Sequence, residues 1–405
     1  MQKNNLGTLY LYELKKIMKR RLVRISLLVC MIGVAAVACS GLMGEYYVDG
    51  KLQDTHYHMF QVDRAYREAL SGRVVDQPLL AEMAEAYGRI PPEEERFTLT
   101  DAYQTYARPY SAIFNLVRAW TGMNMEEARY WEADEQELYR LRQAYLEKEW
   151  QQMMLSEPEA AFWREKEAQI DRPVTYLYCE GATRCVLHMM PMISTMMLLF
   201  VAVSLSGVFA EEHTRRTDQL ILTGAKGKST VYYAKKLAGI SIAVLSTLLL
   251  QTITSALTLC LYGAGGYEAA FQLAYADCSY PLTIGQAYLI ECGITLVTAA
   301  VTGVLVMVLS EALHSGLATL AVFTGWIIAG LVIQIPPQSR VFSQIWDWMP
   351  TTFLSVWNIF DVRTVSLFGH RLVSWQIVPA LYLLGGLLAF LAGVRVYRRY
   401  QVSGR

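Results

Sequence analysis

The chain has 405 residues, of which 54% are hydrophobic and only 18% are charged, and its basic and acidic side chains balance to a net charge of zero. Soluble domains have about 45–50% apolar and about 25% charged residues, so a purely soluble protein is disfavoured. Long charge-free runs are typical of helices that cross lipid. Six such runs reach the roughly 17–25 residues required: 25–44, 189–210, 237–266, 292–310, 315–335 and 372–394.

The basic residues are strongly segregated along the chain. Residues 1–24 carry seven Lys and Arg, 211–236 carry six and the tail from 395 carries four, against three in the loops 267–291 and 336–371. Basic loops stay in the cytoplasm, so we expect both termini and 211–236 to be cytoplasmic. The sequence therefore predicts an all-α integral membrane protein of the cell membrane, with six transmembrane helices and a helical extracytoplasmic domain.

The N-terminal region, 1–44, is predicted to combine an interfacial helix with the first span. Apolar residues recur at three- and four-residue spacing over 6–22, with Lys and Arg on the other face, as in helices that lie beside anionic headgroups. An ordinary basic anchor next to a span is the alternative. Ala36-Val37-Ala38 also resembles a signal-peptidase site, but the apolar run continues beyond it, and we expect a retained anchor.

Residues 45–187 form the one large polar insertion, with 16 basic and 26 acidic residues. They are numerous enough for an independent domain. The stretch 126–155 lacks Gly and Pro and favours a long helix. We find no alternating pattern typical of strands, and therefore expect a helical domain outside the cytoplasm.

The last region, 188–405, is predicted to hold five spans and the cytoplasmic segment 211–236. Prolines and tryptophans in the outer loop 336–371 suit the membrane interface. Short re-entrant helices and a plain surface loop both fit this loop.

Two motifs resemble enzyme sites. Gly227-Lys228-Ser229 fits a phosphate-binding loop, but the glycine that the motif requires five residues earlier is Leu222, so any ATP must be bound by another polypeptide. Glu211-Glu212 followed by Arg216 matches intramembrane CAAX-type proteases, although His213 overlaps the motif rather than lying on another helix. We keep the protease as a minor alternative, and expect no catalytic residue, cofactor or metal site.

Two further features are candidate sites. Glu291 opens the fourth span, and a carboxylate within a membrane is a functional candidate, although its place near the outer boundary favours an interfacial role. Cys179 and Cys185 lie just before the second span, on the side where a disulfide can form. Two free thiols are the alternative, and we expect the disulfide.

The segment after the second span carries a family resemblance. It runs from Phe209 through Glu212, Leu220 and Leu222 to Ala234-Lys235, and it resembles the permease subunit of type-2 ABC exporters. The basic first helix, the insertion between the first two spans and the loop before the last span fit the same family. A proline usual in the middle of the motif is missing, with Gly224 near its place.

This resemblance implies a transmembrane exporter subunit powered by a separate ABC ATPase, present in two copies. A second permease copy or a paralogue would complete the substrate path, and no nucleic acid is involved. We expect a helix over 211–223 to dock on the ATPase, with Glu212 and Arg216 paired on one face. The alternative from another class is a membrane-anchored sensor or assembly protein with an extracytoplasmic binding domain. The expected coupling residues are Glu211, Glu212, Arg215, Arg216, Leu220 and Leu222.

Overall fold

The structure is a computed structural model, and it describes residues 5–91, 97–131, 134–217 and 230–399. This part of the chain is mostly helical. It forms two compact units: unit 1 consists of Met1–Ala36, His188–Ala256 and Ile290–Arg405, and unit 2 of Val37–Leu187 and Leu257–Leu289.

Helix α1 spans Asn5–Met18 and confirms the predicted amphipathic helix. It ends earlier than expected, because the chain turns at Lys19 and Arg20 before α2 begins. Helix α2 spans Arg21–Ser40. The first predicted span is therefore a separate helix, and α1 is free to take another direction.

Unit 2 begins with a strand hairpin that we did not predict. Strand β1 (Glu45–Val48) pairs antiparallel with β2 (Lys51–Thr55) across Asp49-Gly50. Both turn residues have positive φ, the conformation that Asp-Gly favours in two-residue hairpins.

The helices that follow are α3 (His56–Leu70), α4 (Gln77–Gly88), α5 (Ser111–Thr121), α6 (Met125–Tyr130), α7 (Glu135–Gln152), α8 (Glu157–Glu167) and α9 (Glu180–Arg184).

Short polar side chains fix where these helices start. The Thr55 hydroxyl accepts from the amide of His58 at 3.2 Å, and the Asp76 carboxylate accepts from that of Leu79 at 3.2 Å. Each N-cap satisfies an amide that the helix cannot pair. Helix α5 ends at Gly122, whose φ of +73° suits a residue without a side chain.

The core of unit 2 lies between α4, α5 and α7. Tyr87 and Phe114 stack with ring centroids 4.3 Å apart, and Trp120 and Leu138 are fully buried beside them. The single helix predicted over 126–155 is wrong, since α6 ends at Tyr130 and α7 starts at Glu135. The residues that α7 buries are Leu138, Tyr139, Arg142, Leu146 and Trp150.

Residues 257–289 belong to unit 2 in addition to Val37–Leu187, and this second segment was not predicted. Arg142, 1% exposed, donates to the carbonyls of Ala276 at 2.7 Å and Cys278 at 3.0 Å. It also forms a salt bridge with Glu167 at 2.8 Å. The Trp120 indole adds a hydrogen bond to the Gln272 carbonyl. A buried guanidinium needs such partners, so the two segments stabilise each other.

Unit 1 contains most of the remaining helical residues and a second hairpin; the end of α12 and the start of α13 fall within 257–289 of unit 2. Glycines allow close helix packing: a Cβ atom on Gly303 would lie 3.3 Å from that of Ala243. The elements are α10 (Met190–Leu205), α11 (Gly207–Thr214), α12 (Thr230–Tyr262), α13 (Ile284–Leu313), α14 (Gly316–Val332), α15 (Arg340–Asp347), α16 (Val356–Ile359), β3 (Thr364–Leu367), β4 (His370–Val373) and α17 (Ser374–Arg399).

Five helical stretches of the described chain are long and apolar enough to cross a membrane. The fifth predicted span is the shorter helix α14, whose 17 residues extend about 26 Å, slightly less than a hydrocarbon core of about 30 Å. The membrane character is thus supported, and the count of six remains a prediction. The five are Arg21–Ser40, Glu180–Thr214, Thr230–Tyr262, Ile284–Leu313 and Ser374–Tyr397.

The loop 336–371 is ordered by helices α15 and α16 and by the hairpin β3–β4. Helix α15 exposes Val341 and Phe342 and buries Ser343. Arg363 forms salt bridges to Asp347 at 2.6 Å and to Asp361 at 2.7 Å. These salt bridges connect the end of α15 to the residues between α16 and β3. The strands were not predicted. Re-entry of these short helices into the membrane remains a prediction.

Candidate functional site

The predicted coupling helix over 211–223 is wrong in its extent. Helix α11 ends at Thr214, and Arg216 takes a φ of +55°. The amide of Thr217 donates to the Glu212 carbonyl at 3.0 Å and that of Arg216 to the His213 carbonyl at 3.1 Å. This is the Schellman arrangement that stops a helix. It forms here without glycine, so no residue of the usual type marks the helix end in the sequence.

Glu212 is at the centre of the site, with only 7% of its surface exposed. Its carboxylate accepts from Lys16 of α1 at 2.8 Å and from Lys235 of α12. The predicted pairing with Arg216 is therefore wrong, because Arg216 has left the helix. Arg215 and Arg216 are exposed. Glu212 thus links three helices, and the two arginines remain at the surface.

A second buried ion pair lies next to the first. Lys236 and Glu311 of α13 approach to 4.0 Å between Nζ and Oε2, and Lys235 and Lys236 are both 0% exposed. The Lys236 ammonium lies 5.0 Å from the centroid of Phe209 and 5.2 Å from that of Tyr232. A buried ammonium is costly unless carboxylates and aromatic faces compensate it.

Glu211, the other acidic residue of the motif, connects α11 to the junction of α1 and α2. Arg20 contacts its carboxylate at 3.1 Å and also donates to the carbonyl of Gly207 at 3.3 Å. The first helix is thus held at two points, Lys16 and Arg20. Burial lowers the pKa of the Lys16 ammonium, but its interactions with Glu212 outweigh burial, so the pKa lies above the ordinary value.

Helices α11, α13 and α14 come very close at this site. The Ser310 hydroxyl donates to the carbonyl of Ser206 and accepts from the amide of Ala210 at 3.3 Å. A Cβ atom on Gly316 would lie 3.3 Å from the Cα atom of Gly207. Such contacts leave little room for independent movement. A displacement of α11 is therefore transmitted to α13 and α14.

The protease alternative fits this geometry poorly. Glu212 already binds two lysines, and a carboxylate compensated in this way is a weak metal ligand. The His213 ring stacks on that of His314, with centroids 4.1 Å apart. The motif residues of the proposed protease are thus occupied in packing and ion pairs.

Other predicted residues are not part of this site. Leu220, Leu222 and the phosphate-loop resemblance at 224–229 lie outside the described residues. Cys179 and Cys185 are not joined to each other in the structure, so the predicted disulfide is not formed there. Six residues of helix separate Cα atoms by roughly 9 Å along the axis, whereas a disulfide allows at most about 7 Å.

Glu291 lies in the eighth position of α13 and is 1% exposed. The side chain is enclosed by protein, and its depth in a membrane remains a prediction.

The sequence did not reveal most of the site. Lys235 and Lys236 counted as loop charges under the positive-inside rule, yet they lie within α12. Glu311 follows the predicted span 292–310 directly, and in the structure it belongs to α13. The signal that could have found them is the apolar and aromatic context, Val231-Tyr232-Tyr233-Ala234, immediately before two lysines.

No protein-family model, no curated protein and no solved structure matches this chain.

Proposed function

We propose that the chain is the transmembrane permease subunit of an ABC exporter, powered by a separate ATPase subunit in two copies. In this proposal the chain lies in the cell membrane with both termini in the cytoplasm, and a second copy or a paralogue completes the transport path. The observation that carries the proposal is the position of Glu212. It ties a short helix with two exposed arginines to the first helix and to α12.

A permease needs a segment that its ATPase can reach and that is firmly connected to the spans. The exposed Arg215 and Arg216 offer the first property. The second comes from Glu212, which pairs with Lys16 of α1 and Lys235 of α12, and from Glu211, which pairs with Arg20 just after α1. Surface charges of this kind contribute little to stability, and their usual value lies in recognising a complementary partner. We therefore assign docking to the arginines and transmission to the two glutamates.

A role in transmission gives a reason for burying charges at positions where apolar residues can make the protein equally or more stable. Replacing a buried ion pair by apolar residues is often neutral or stabilising, so the pairs Glu212–Lys235 and Glu311–Lys236 are not needed for stability alone. Ion pairs can exchange partners when helices shift. They suit a junction that must take two arrangements during transport.

Site-specific photocrosslinking tests the proposal. A photoreactive residue at Arg215 of the full chain, expressed in its native membrane, should crosslink to a protein that mass spectrometry identifies as an ABC ATPase. The double charge reversal Arg215→Glu with Arg216→Glu should abolish the association and the ATP-dependent transport. Arg395→Glu, an exposed arginine of α17, is the matched control and should retain both. Retained ATPase association in the double variant would show that this segment is not the docking site.

A sensor or assembly role is the second candidate, and the outer domain favours it. Unit 2 has its own core and contains a cavity of about 400 Å³, lined in part by Gln169, Asp171 and Gln272. Such a volume suits a small ligand. Purification of the native complex separates the two readings. A permease must be isolated with an ATPase, whereas a sensor of this kind needs none.

A further inference from the structure

Glu291 is a buried acid without a compensating charge. It is 1% exposed, and its Oε2 atom has no hydrogen-bond partner in the described part of the chain. No salt bridge of the described residues includes it. An isolated carboxylate in such surroundings is so unfavourable that it either finds a counter-charge or becomes neutral.

The neighbours of Glu291 are polar but uncharged. Gln251 of α12, itself buried, donates to the carbonyl of Cys292 at 3.3 Å, which places it opposite this part of α13. The Thr295 hydroxyl donates to the Glu291 carbonyl at 2.8 Å. These groups form hydrogen bonds and cannot neutralise a carboxylate.

Four helices of unit 1 offer no cation in their apolar stretches. Helix α12 has no ionisable residue between Lys236 and Cys260, α17 has none before Tyr382, and α10 and α14 have none. On α13 itself the nearest titratable side chains are Tyr288 and Cys292. None of these groups is positively charged.

The same helix carries a contrasting case. Glu311, also buried, lies 4.0 Å from the Lys236 ammonium. Among the residues that the structure describes, one carboxylate of α13 thus has a cation beside it and the other has none. A proton is the remaining charge that can make Glu291 neutral.

We propose that Glu291 is a proton-binding site of unit 1. Its carboxylate takes one proton from water when the helices close around it, and it returns that proton to water only when α12 and α13 part enough to hydrate it. Closing the helices would thus consume a proton, and acid conditions would favour the closed form. Any helical rearrangement that hydrates Glu291 would release this proton, whether or not an ATPase drives the rearrangement.

Carbodiimide labelling of the full chain in native membranes tests this directly. Dicyclohexylcarbodiimide enters apolar regions and adds to protonated carboxyl groups, forming a stable acylurea. We expect mass spectrometry to find the adduct at Glu291 near neutral pH, with labelling that falls at least tenfold as the pH is made alkaline. Glu311, which has a lysine beside it, is the internal comparison and should be labelled less. Absence of a Glu291 adduct at acid and neutral pH would overturn the proposal.

Infrared spectroscopy provides a second readout that needs no reagent access. The wild-type protein should show the carbonyl stretch of an un-ionised carboxylic acid, and Glu291→Gln should remove it. Because glutamine has the shape of the protonated acid, this variant should also unfold at the wild-type temperature. Retention of the band in a folded Glu291→Gln protein would assign the proton elsewhere and reject the site.

Discussion

The Lys236 ammonium lies 4.0 Å from the Glu311 carboxylate, and both side chains are enclosed by the helices of unit 1. Lys235, the preceding residue, donates a hydrogen bond to Glu212, whereas the Lys236–Glu311 pair is in charge contact only. Two consecutive lysines of α12 therefore have separate acidic partners on different helices. This arrangement fixes the rotation of α12, since turning the helix would remove both partners together.

We expect the Lys236–Glu311 pair to show strong coupling. Lys236→Met and Glu311→Gln should each destabilise the protein by about 3–5 kcal/mol, because each leaves one buried charge alone. The double variant should lose much less than the sum of the two. A double-mutant cycle on unfolding in detergent measures the difference. Simple additivity would mean that the two groups do not interact.

Glu212 should be more sensitive than its exposed neighbour. Glu212→Lys would place three ammonium groups together and should prevent stable folding or cost several kcal/mol. Arg216→Gln changes an exposed residue and should alter stability by about 0.5 kcal/mol or less. Thermal unfolding of both variants in one detergent provides the measurement. Similar stability of the two variants would contradict the burial of Glu212.

Arg142 should be essential to unit 2. Arg142→Met removes donors to two carbonyls and leaves Glu167 without its salt bridge, so we expect a loss of about 3–5 kcal/mol. Arg140→Met, two residues away on the exposed face of α7, is the matched control and should change little. Chemical denaturation of the full chain, followed by tryptophan fluorescence, would compare them.

The cysteines next to the second span should be reduced in the native protein. Burial raises the pKa of the Cys179 thiol, so its reactive thiolate is scarce. We expect slow alkylation in the folded protein and full alkylation of Cys179 and Cys185 after denaturation without reductant. Recovery of a peptide linked through these two cysteines would show that they form a disulfide.

Reporter fusions can check the orientation. The charge bias places the C-terminus and residue 217 in the cytoplasm and residue 100 outside. A reporter active only in the cytoplasm should work at the first two positions and fail at the third. An active reporter at residue 100 would reverse the predicted topology.

Apolar run length and charge identified much of the architecture. The runs 25–44, 237–266 and 372–394 each correspond to a helix that could cross a membrane, because backbone burial in lipid leaves a strong signal in the sequence. The hairpins were missed because their strands have four or five residues, too few for an alternating pattern. Asp49-Gly50 was the available signal for the first hairpin.

The site was predicted only in part. The motif directed attention to Glu211 and Glu212, but local spacing cannot show that Glu212 faces Lys16, which is 196 residues away along the chain. Similarly, Arg216 was assigned to a helix because its departure from helical geometry depends on a cap without glycine. Long-range charge partners and unusual caps are decided by tertiary packing.

Unit 2 is assembled from two segments, Val37–Leu187 and Leu257–Leu289, with the chain of 188–256 between them. When residue 187 has just been synthesised, the carbonyls of Ala276 and Cys278 that accept from Arg142 do not yet exist. At about 5–20 residues per second, synthesis of the missing part takes roughly 5–20 seconds. During that interval Arg142 would lack its carbonyl partners, and the apolar surface that 257–289 covers would be exposed to solvent. The nascent domain is then most vulnerable to quality-control proteases. Slow synthesis or delayed insertion after residue 187 should therefore lower the yield of intact protein.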